Sequence, residues 1–249
     1  ISAILIFMVL AFLSKGFVFG QVILGPSKVD FVTYRMLCKL SELFYLPALC
    51  IEELPFIIQS RQMTGQFSMH ITSSLVVGLI AAFPYVFWEV WKFISPGLYA
   101  KERNAARGAV FFVSLLFFMG ASFGYFILSP LSINFLSNYQ LDPSIANEFD
   151  ITSYVSTLSM LVLASAVMFQ LPVVIYFLTQ AGLVSSAMLK AYRRHSIVVI
   201  LVLSAVITPP DVISQILIAM PILVLYEAGI MIAKRLERKR REEELEDDL

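Results

Sequence analysis

Long windows of this chain carry no charged residue, while its last 16 residues, Lys234 to Leu249, hold 13 charges. A chain segregated in this way cannot fold as an ordinary water-soluble domain. Apolar runs of about 20 residues are the length a helix needs to cross a hydrocarbon core. Of the 249 residues, 59% are apolar and only 14% are charged, against about a quarter charged in soluble domains. Lipid is therefore the solvent for much of the surface. The fold expected is all-α, a polytopic membrane domain spanning residues 1–249 and crossing the bilayer six times.

The spans are expected near 1–13, 71–93, 105–128, 154–180, 196–208 and 212–233. The first run starts at Ile1 without a polar flank, and the chain is read as starting inside a helix. Residues 27–66 are mixed in character and read as an extramembrane cap with one or two short helices. The stretch from Ser196 to Thr208 has 13 uncharged residues, roughly 20 Å of helix, and is short for a span. Pro209, Pro210 and Asp211 end it, because proline lacks the amide donor and clashes with the preceding turn. The last two spans thus form a short hairpin, followed by a charged tail at 234–249.

Lys and Arg in short loops set orientation. Lys92, Lys101, Arg103 and Arg107 follow the second span, Lys190, Arg193 and Arg194 follow the fourth, and the tail is rich in both. Residues 130–153 and 208–212 contain neither. The C-terminus is accordingly expected in the cytoplasm, and an even span count places the N-terminus there too.

Phosphate-loop, G-x-S-x-G and H-E-x-x-H motifs are absent, and the two histidines, His70 and His195, lie far apart. No enzyme, metal site or cofactor is expected, and with no general basic patch no nucleic acid is expected either. Cys38 and Cys50 share the cap, 12 positions apart. An oxidising compartment permits a disulfide between them, and two buried thiols are the alternative. Ionisable and polar groups inside a membrane are costly and default to functional candidates. Glu89, Gln170 and Glu227 are those candidates, set near Pro84, Pro172 and Pro221, a pattern suggesting bent helices around a polar concavity. Each has a plainer reading. Glu89 pairs with Lys92, Gln170 satisfies backbone freed by Pro172, or Glu227 caps groups near Pro221.

The most distinctive stretch is Phe93-Ile94-Ser95-Pro96-Gly97-Leu98-Tyr99-Ala100-Lys101-Glu102-Arg103, and Thr208-Pro209-Pro210-Asp211-Val212 with Ser214-Gln215 follows much later. With F-P at 83–84, W-x-V-W at 88–91, F-Q-L-P at 169–172 and L-Y-E at 225–227, these motifs resemble the TatC family, over about 180 residues. That family supplies the multispanning subunit of the twin-arginine protein translocase. The resemblance implies a glove-like receptor for twin-arginine signal peptides of folded cargo, in an oligomeric complex of a prokaryotic cytoplasmic membrane or its equivalent. It further implies partner single-span subunits of the TatA and TatB kind along the fifth and sixth helices, with the proton-motive force driving transport. The family's recognition glutamate aligns with Glu102, and Phe93, Pro96, Leu98, Tyr99 and Arg103 belong to the same motif. A second recognition element precedes the first span in the family. Two departures stand out. The family often has glutamate where this chain has Gln170, and glutamine where it has Glu89. The cap is also longer than usual, so its cysteines inherit nothing. The competing reading is an ion-coupled small-molecule transporter or channel with Glu89 and Glu227 along its path. That reading predicts an inverted repeat, and the two halves lack self-similarity.

Overall fold

The computed structural model describes residues 2–44, 50–51, 53–94, 106–142, 144–145, 147–207 and 212–247. The chain opens with α1 (Ser2–Leu13), which meets α2 (Lys15–Ile23) at an elbow of 75°. In the cap, α3 (Val32–Phe44) is followed by the short strand β1 (Ile57–Gln59) and then by α4 (Gly65–Ile94). Next comes α5, built from Ala106–Phe123, a π-helical turn Gly124–Leu128 and Ser129–Asn138. Strand β2 (Glu148–Asp150) leads into α6 (Ile151–Met168) and α7 (Leu171–Gln180). The short α8 (Ser186–Ala191), α9 (Arg193–Ile207) and α10 (Val212–Asp247) complete the chain.

Four stretches are long and apolar enough to cross a membrane, namely α4, most of α5, α6 with α7, and the first part of α10, with α1 and α2 together as a fifth candidate. With 15 residues, α9 is roughly 22 Å long and falls short of that length. Apolar side chains cover the outward faces (Phe111, Phe112, Leu115, Val198, Val202 and Val206 among them), as lipid-facing helices require.

Helices cross closely where glycine removes the side chain. A Cβ at Gly78 of α4 would lie 2.7 Å from the backbone nitrogen of Met8, so α1 packs directly on that turn. On α5, a Cβ at Gly120 would lie 2.7 Å from the carbonyl oxygen of Ser165, and one at Gly124 would lie 2.8 Å from Cα of Val162. This spacing of four along one helix face is the small-residue packing mode of membrane helices. Gly108 has open space instead.

The helix of the second span begins at Gly65, inside the stretch expected as cap and ahead of the expected start at 71, and two further boundaries differ from the sequence reading. The third span was expected to end at Leu128, yet the helix runs through Pro130 to Asn138. Proline cannot donate to the carbonyl four residues back, and that carbonyl, on Phe126, accepts the Thr33 hydroxyl from the cap instead. The π-helical turn absorbs the misfit, and the Ser129 hydroxyl donates to the Gly124 carbonyl at 2.7 Å. The charged tail also continues α10 as one helix through Asp247, roughly 54 Å in all.

The cap is tied together at three points. Cys38 and Cys50 form a disulfide. β1 and β2 pair in parallel with Ile57 opposite Glu148 and Gln59 opposite Asp150, joining the cap to the segment before α6. Arg61 pairs with Glu148 at 3.3 Å, and its backbone N–H donates to Asp150 at 3.4 Å. At the head of α6, Asp150 also accepts the Thr152 hydroxyl at 2.5 Å, which holds its carboxyl below the usual carboxylate range.

Candidate functional site

Chain direction sorts the helix ends into two groups, a cap side and a tail side. The tail side collects the ends at Ile94, Ala106, Gln180, Arg193 and Asp247. Trp91 near the end of α4 meets Phe177 of α7 with ring centroids 5.1 Å apart. The segment 95–105, which carries most of the distinctive motif, joins the tail-side ends of α4 and α5. Pro96, Leu98, Tyr99, Glu102 and Arg103 lie outside the described residues, as do Pro209, Pro210 and Asp211. Phe93, which opens the motif near the end of α4, is 87% exposed.

The three intramembrane polar candidates do not converge. Glu89 is exposed on α4, and the expected pairing with Lys92 is not what forms. The Lys92 ammonium sits 5.3 Å over the Trp88 ring instead. Gln170 reaches across to α5, where its amide donates to the Val113 carbonyl at 3.3 Å, rather than serving backbone near Pro172. Pro172 needs no such service, because it stands at the start of α7, where its missing N–H is an orphan anyway. The Gln170 Oε1 is buried without a hydrogen-bond partner among the described residues. Glu227 pairs with Arg193 of α9, one element over, rather than capping groups near Pro221.

That ion pair belongs to a tail-side lock absent from the sequence reading. Tyr226, the residue before Glu227, donates to the Leu189 carbonyl at 2.8 Å. Farther out on α10, Glu237 accepts both the backbone N–H of Ser186 at 2.6 Å and its hydroxyl at 2.5 Å, capping the start of α8. Three contacts therefore fasten α8 and the start of α9 to α10. No local spacing announces them, since Ser186 and Glu237 are 51 residues apart.

On the cap side, the C-terminal end of α2 is held by a second set the sequence reading passed over. Helix ends leave carbonyls without partners, and here side chains from distant elements take them. Tyr125 donates to the Val22 carbonyl at 2.7 Å, Tyr154 to that of Ile23 at 2.9 Å, and Ser27 to that of Leu24 at 2.9 Å. Lys28 donates to the Gly20 carbonyl at 2.9 Å. The Tyr34 hydroxyl lies between the carbonyls of Pro26 at 3.0 Å and Pro130 at 2.9 Å. Burial pushes the Tyr34 phenol well above its ordinary value, so it remains a donor. For Tyr125 and Tyr154 the signal in the sequence was a tyrosine inside an apolar run, which wants a partner for its hydroxyl; Tyr34 sits in the mixed segment and gave no such signal.

No group of three or more His, Cys, Asp or Glu side chains is placed to hold a metal among the described residues. The described residues thus form a helical bundle fastened at its tail side by α10 and at its cap side by the disulfide, the strand pair and the tyrosine hydroxyls. Comparison with known proteins decides what kind. The family model for the Sec-independent protein translocase protein TatC matches residues 1–221. The chain belongs to the TatC family. It is 36% identical to the TatC protein of Blattabacterium over 242 residues, covering 96% of this chain and 91% of that one. It is 44% identical to the Helicobacter pylori J99 TatC protein over 161 residues, covering 65% of this chain and 64% of that one. Among solved structures, a crystal structure of the twin-arginine translocase receptor TatC matches with a TM-score of 0.62 at 31% identity, covering 93% of this chain and 95% of that chain. The chain is thus a multispanning component of a bacterial protein translocase.

Proposed function

We propose that this TatC-family chain is the receptor that binds twin-arginine signal peptides of folded cargo, with segment 95–105 as the binding element and Glu102 as its centre. The observation carrying this reading is that 93% of the chain superposes on a solved twin-arginine translocase receptor. Within that frame the distinctive motif falls between the tail-side ends of α4 and α5, beside the exposed Phe93. An arginine guanidinium offers a planar donor fork that one carboxylate accepts in two parallel bonds, whereas lysine offers a point charge.

The tail side faces the cytoplasm in this reading, in line with its excess of Lys and Arg. The chain crosses the cytoplasmic membrane six times in a curved, glove-like arrangement, counting α9 as a short span. TatA- and TatB-type single-span subunits dock along α9 and α10, and the proton-motive force drives transport. On α9, Val198, Val202 and Val206 form an exposed stripe at helical spacing, while Ile200 and Ser204 alone are buried. Such a stripe suits a partner helix.

The test is Glu102→Ala in the membrane-embedded protein. Binding of a twin-arginine peptide should fall by tenfold or more, about 1.4 kcal/mol, with membrane insertion intact. Glu102→Asp should keep part of the affinity and Glu102→Gln little. A Glu102→Ala protein with unchanged affinity would remove Glu102 from recognition.

A further inference from the structure

In the cap, α3 is anchored on one side and bare on the other. Tyr34 and Ser41 are buried, and the hydroxyls of Thr33 and Tyr34 donate to the carbonyls of Phe126 and Pro130 on α5. At about 100° per residue, the opposite side of the helix carries Val32, Met36, Leu40 and Leu43, in line with Val29 just ahead of it. All five are at least 40% exposed. Their spacing of three and four makes them a single stripe. Arg35 and Lys39, one turn apart, border that stripe, and neither is paired with a carboxylate among the described residues. Glu42 lies farther round the helix.

The height of the anchor decides what the stripe meets. A hydrocarbon core of about 30 Å takes about 20 residues of helix. Counted from Val110, where the apolar stretch of α5 begins, that length ends at Pro130. The start of α3 is therefore fixed at the cap-side edge of the hydrocarbon. Phe31 stacks there on Phe126 with ring centroids 5.8 Å apart, and Phe126 and Ile127 are themselves exposed on the apolar surface of α5. Among the described residues, the turn Gly124–Leu128 is the one part of the bundle that α3 packs against at more than isolated points. The helix thus projects from the bundle instead of running up beside Ser129–Asn138.

We propose that α3 is an interfacial helix, lying in the cap-side leaflet of the bilayer with its bare face covered by lipid. Val32, Met36, Leu40 and Leu43 sit among the acyl chains, and Arg35 and Lys39 reach the lipid phosphates. An amphipathic helix with a basic flank lies in the interface plane in this way, and long basic side chains extend from apolar surroundings to the headgroups. Cys38 stands across the helix from the stripe, so its disulfide to Cys50 ties the water-facing side of α3 to the segment that follows. This surface is separate from the signal-peptide element, which lies at the other ends of the helices.

The first measurement uses the unaltered chain, one copy per nanodisc and no partner protein, treated with a water-soluble oxidant that does not enter lipid. Met63 is fully exposed in the cap and sets the rate for a methionine in water. Sulfoxide formation at Met36, read by peptide mass spectrometry, should be about tenfold slower or more, because oxidation follows exposure. A second measurement identifies the cover. A fluorescent amino acid replaces Met36 in one variant and Glu42 in another, both exposed positions. Lipids brominated along their chains should quench the probe at 36 several-fold more than the probe at 42, and aqueous iodide should do the reverse. Met36 oxidised as fast as Met63 would overturn the proposal. So would a probe at 36 that neither quencher reaches, which would mean cover by protein, or equal quenching at 36 and 42 by the brominated lipid.

Discussion

Tyr154 shows how a single hydroxyl can hold a turn of backbone inside a membrane domain. Its ring is buried and its hydroxyl donates to the Ile23 carbonyl at 2.9 Å. Phenylalanine at this position keeps the ring and leaves that carbonyl unmet, which costs about 1–3 kcal/mol when the group is buried. Tyr154→Phe should therefore lower the thermal unfolding midpoint in detergent, while a Tyr139→Phe control, on an exposed ring, should not. Asp150 yields a pH dependence. Its folded carboxyl is held low, chiefly by the Thr152 hydroxyl, so its contribution is fully present above the ordinary carboxylate value near 3.9. It is lost as pH falls through the lower folded value. A spin-label distance between positions 60 and 145 should stay constant from neutral pH to about 4 and lengthen only below that. In Asp150→Asn that step should be missing. Glu102 could be named from the sequence because a linear motif carries it, whereas the tyrosine set could not. Its members, on α3, α5 and α6, meet only once the helices are packed.

At the scale of elements, hydropathy located the helices and misjudged where they stop. Pro130 reads as a stop because a proline forfeits a hydrogen bond, and it does not stop α5 because Thr33, 93 residues away from Phe126, takes the freed carbonyl. A long-range donor of that kind has no trace in local sequence. The tail was legible as charged but not as helical. Its continuation from α10 is fastened by Glu237 to Ser186, another long-range pair. The glycines divide in the same way. Of the three glycines on α5, packing uses Gly120 and Gly124 for close approach and leaves Gly108 in open space. Valine at either selected position would drive a side chain into the α6 backbone, and overpacking of this kind costs about 1–3 kcal/mol or more. Gly108→Ala should be neutral or stabilising by up to about 1 kcal/mol, since alanine favours a helix more than glycine does. Denaturant titration of the three variants in the same detergent gives the comparison. Gly120→Val as stable as the native chain would contradict the crossing of α5 and α6.

For the molecule as a whole, two latched ends are separated by a bundle that, among the described residues, buries serine and threonine hydroxyls but no Asp, Glu, Lys or Arg. The cap end is closed by the disulfide, the β1–β2 pair and the held carbonyls at the end of α2; the tail end is closed by α10 holding the connection between α7 and α9. Glu89, Gln170 and Glu227 sit apart, each with its own surroundings, which accords with a receptor surface at the ends of the helices more than with a shared path through them. The most direct measurement of that account is the affinity of the membrane-embedded chain for a twin-arginine signal peptide against the same peptide with twin lysine. The peptides are presented to the tail side of oriented nanodiscs. The account predicts at least about a tenfold preference for arginine, with a photo-reactive group beside the arginine pair crosslinking to segment 95–105. Equal affinity for the two peptides, or crosslinks confined to the cap side, would contradict it.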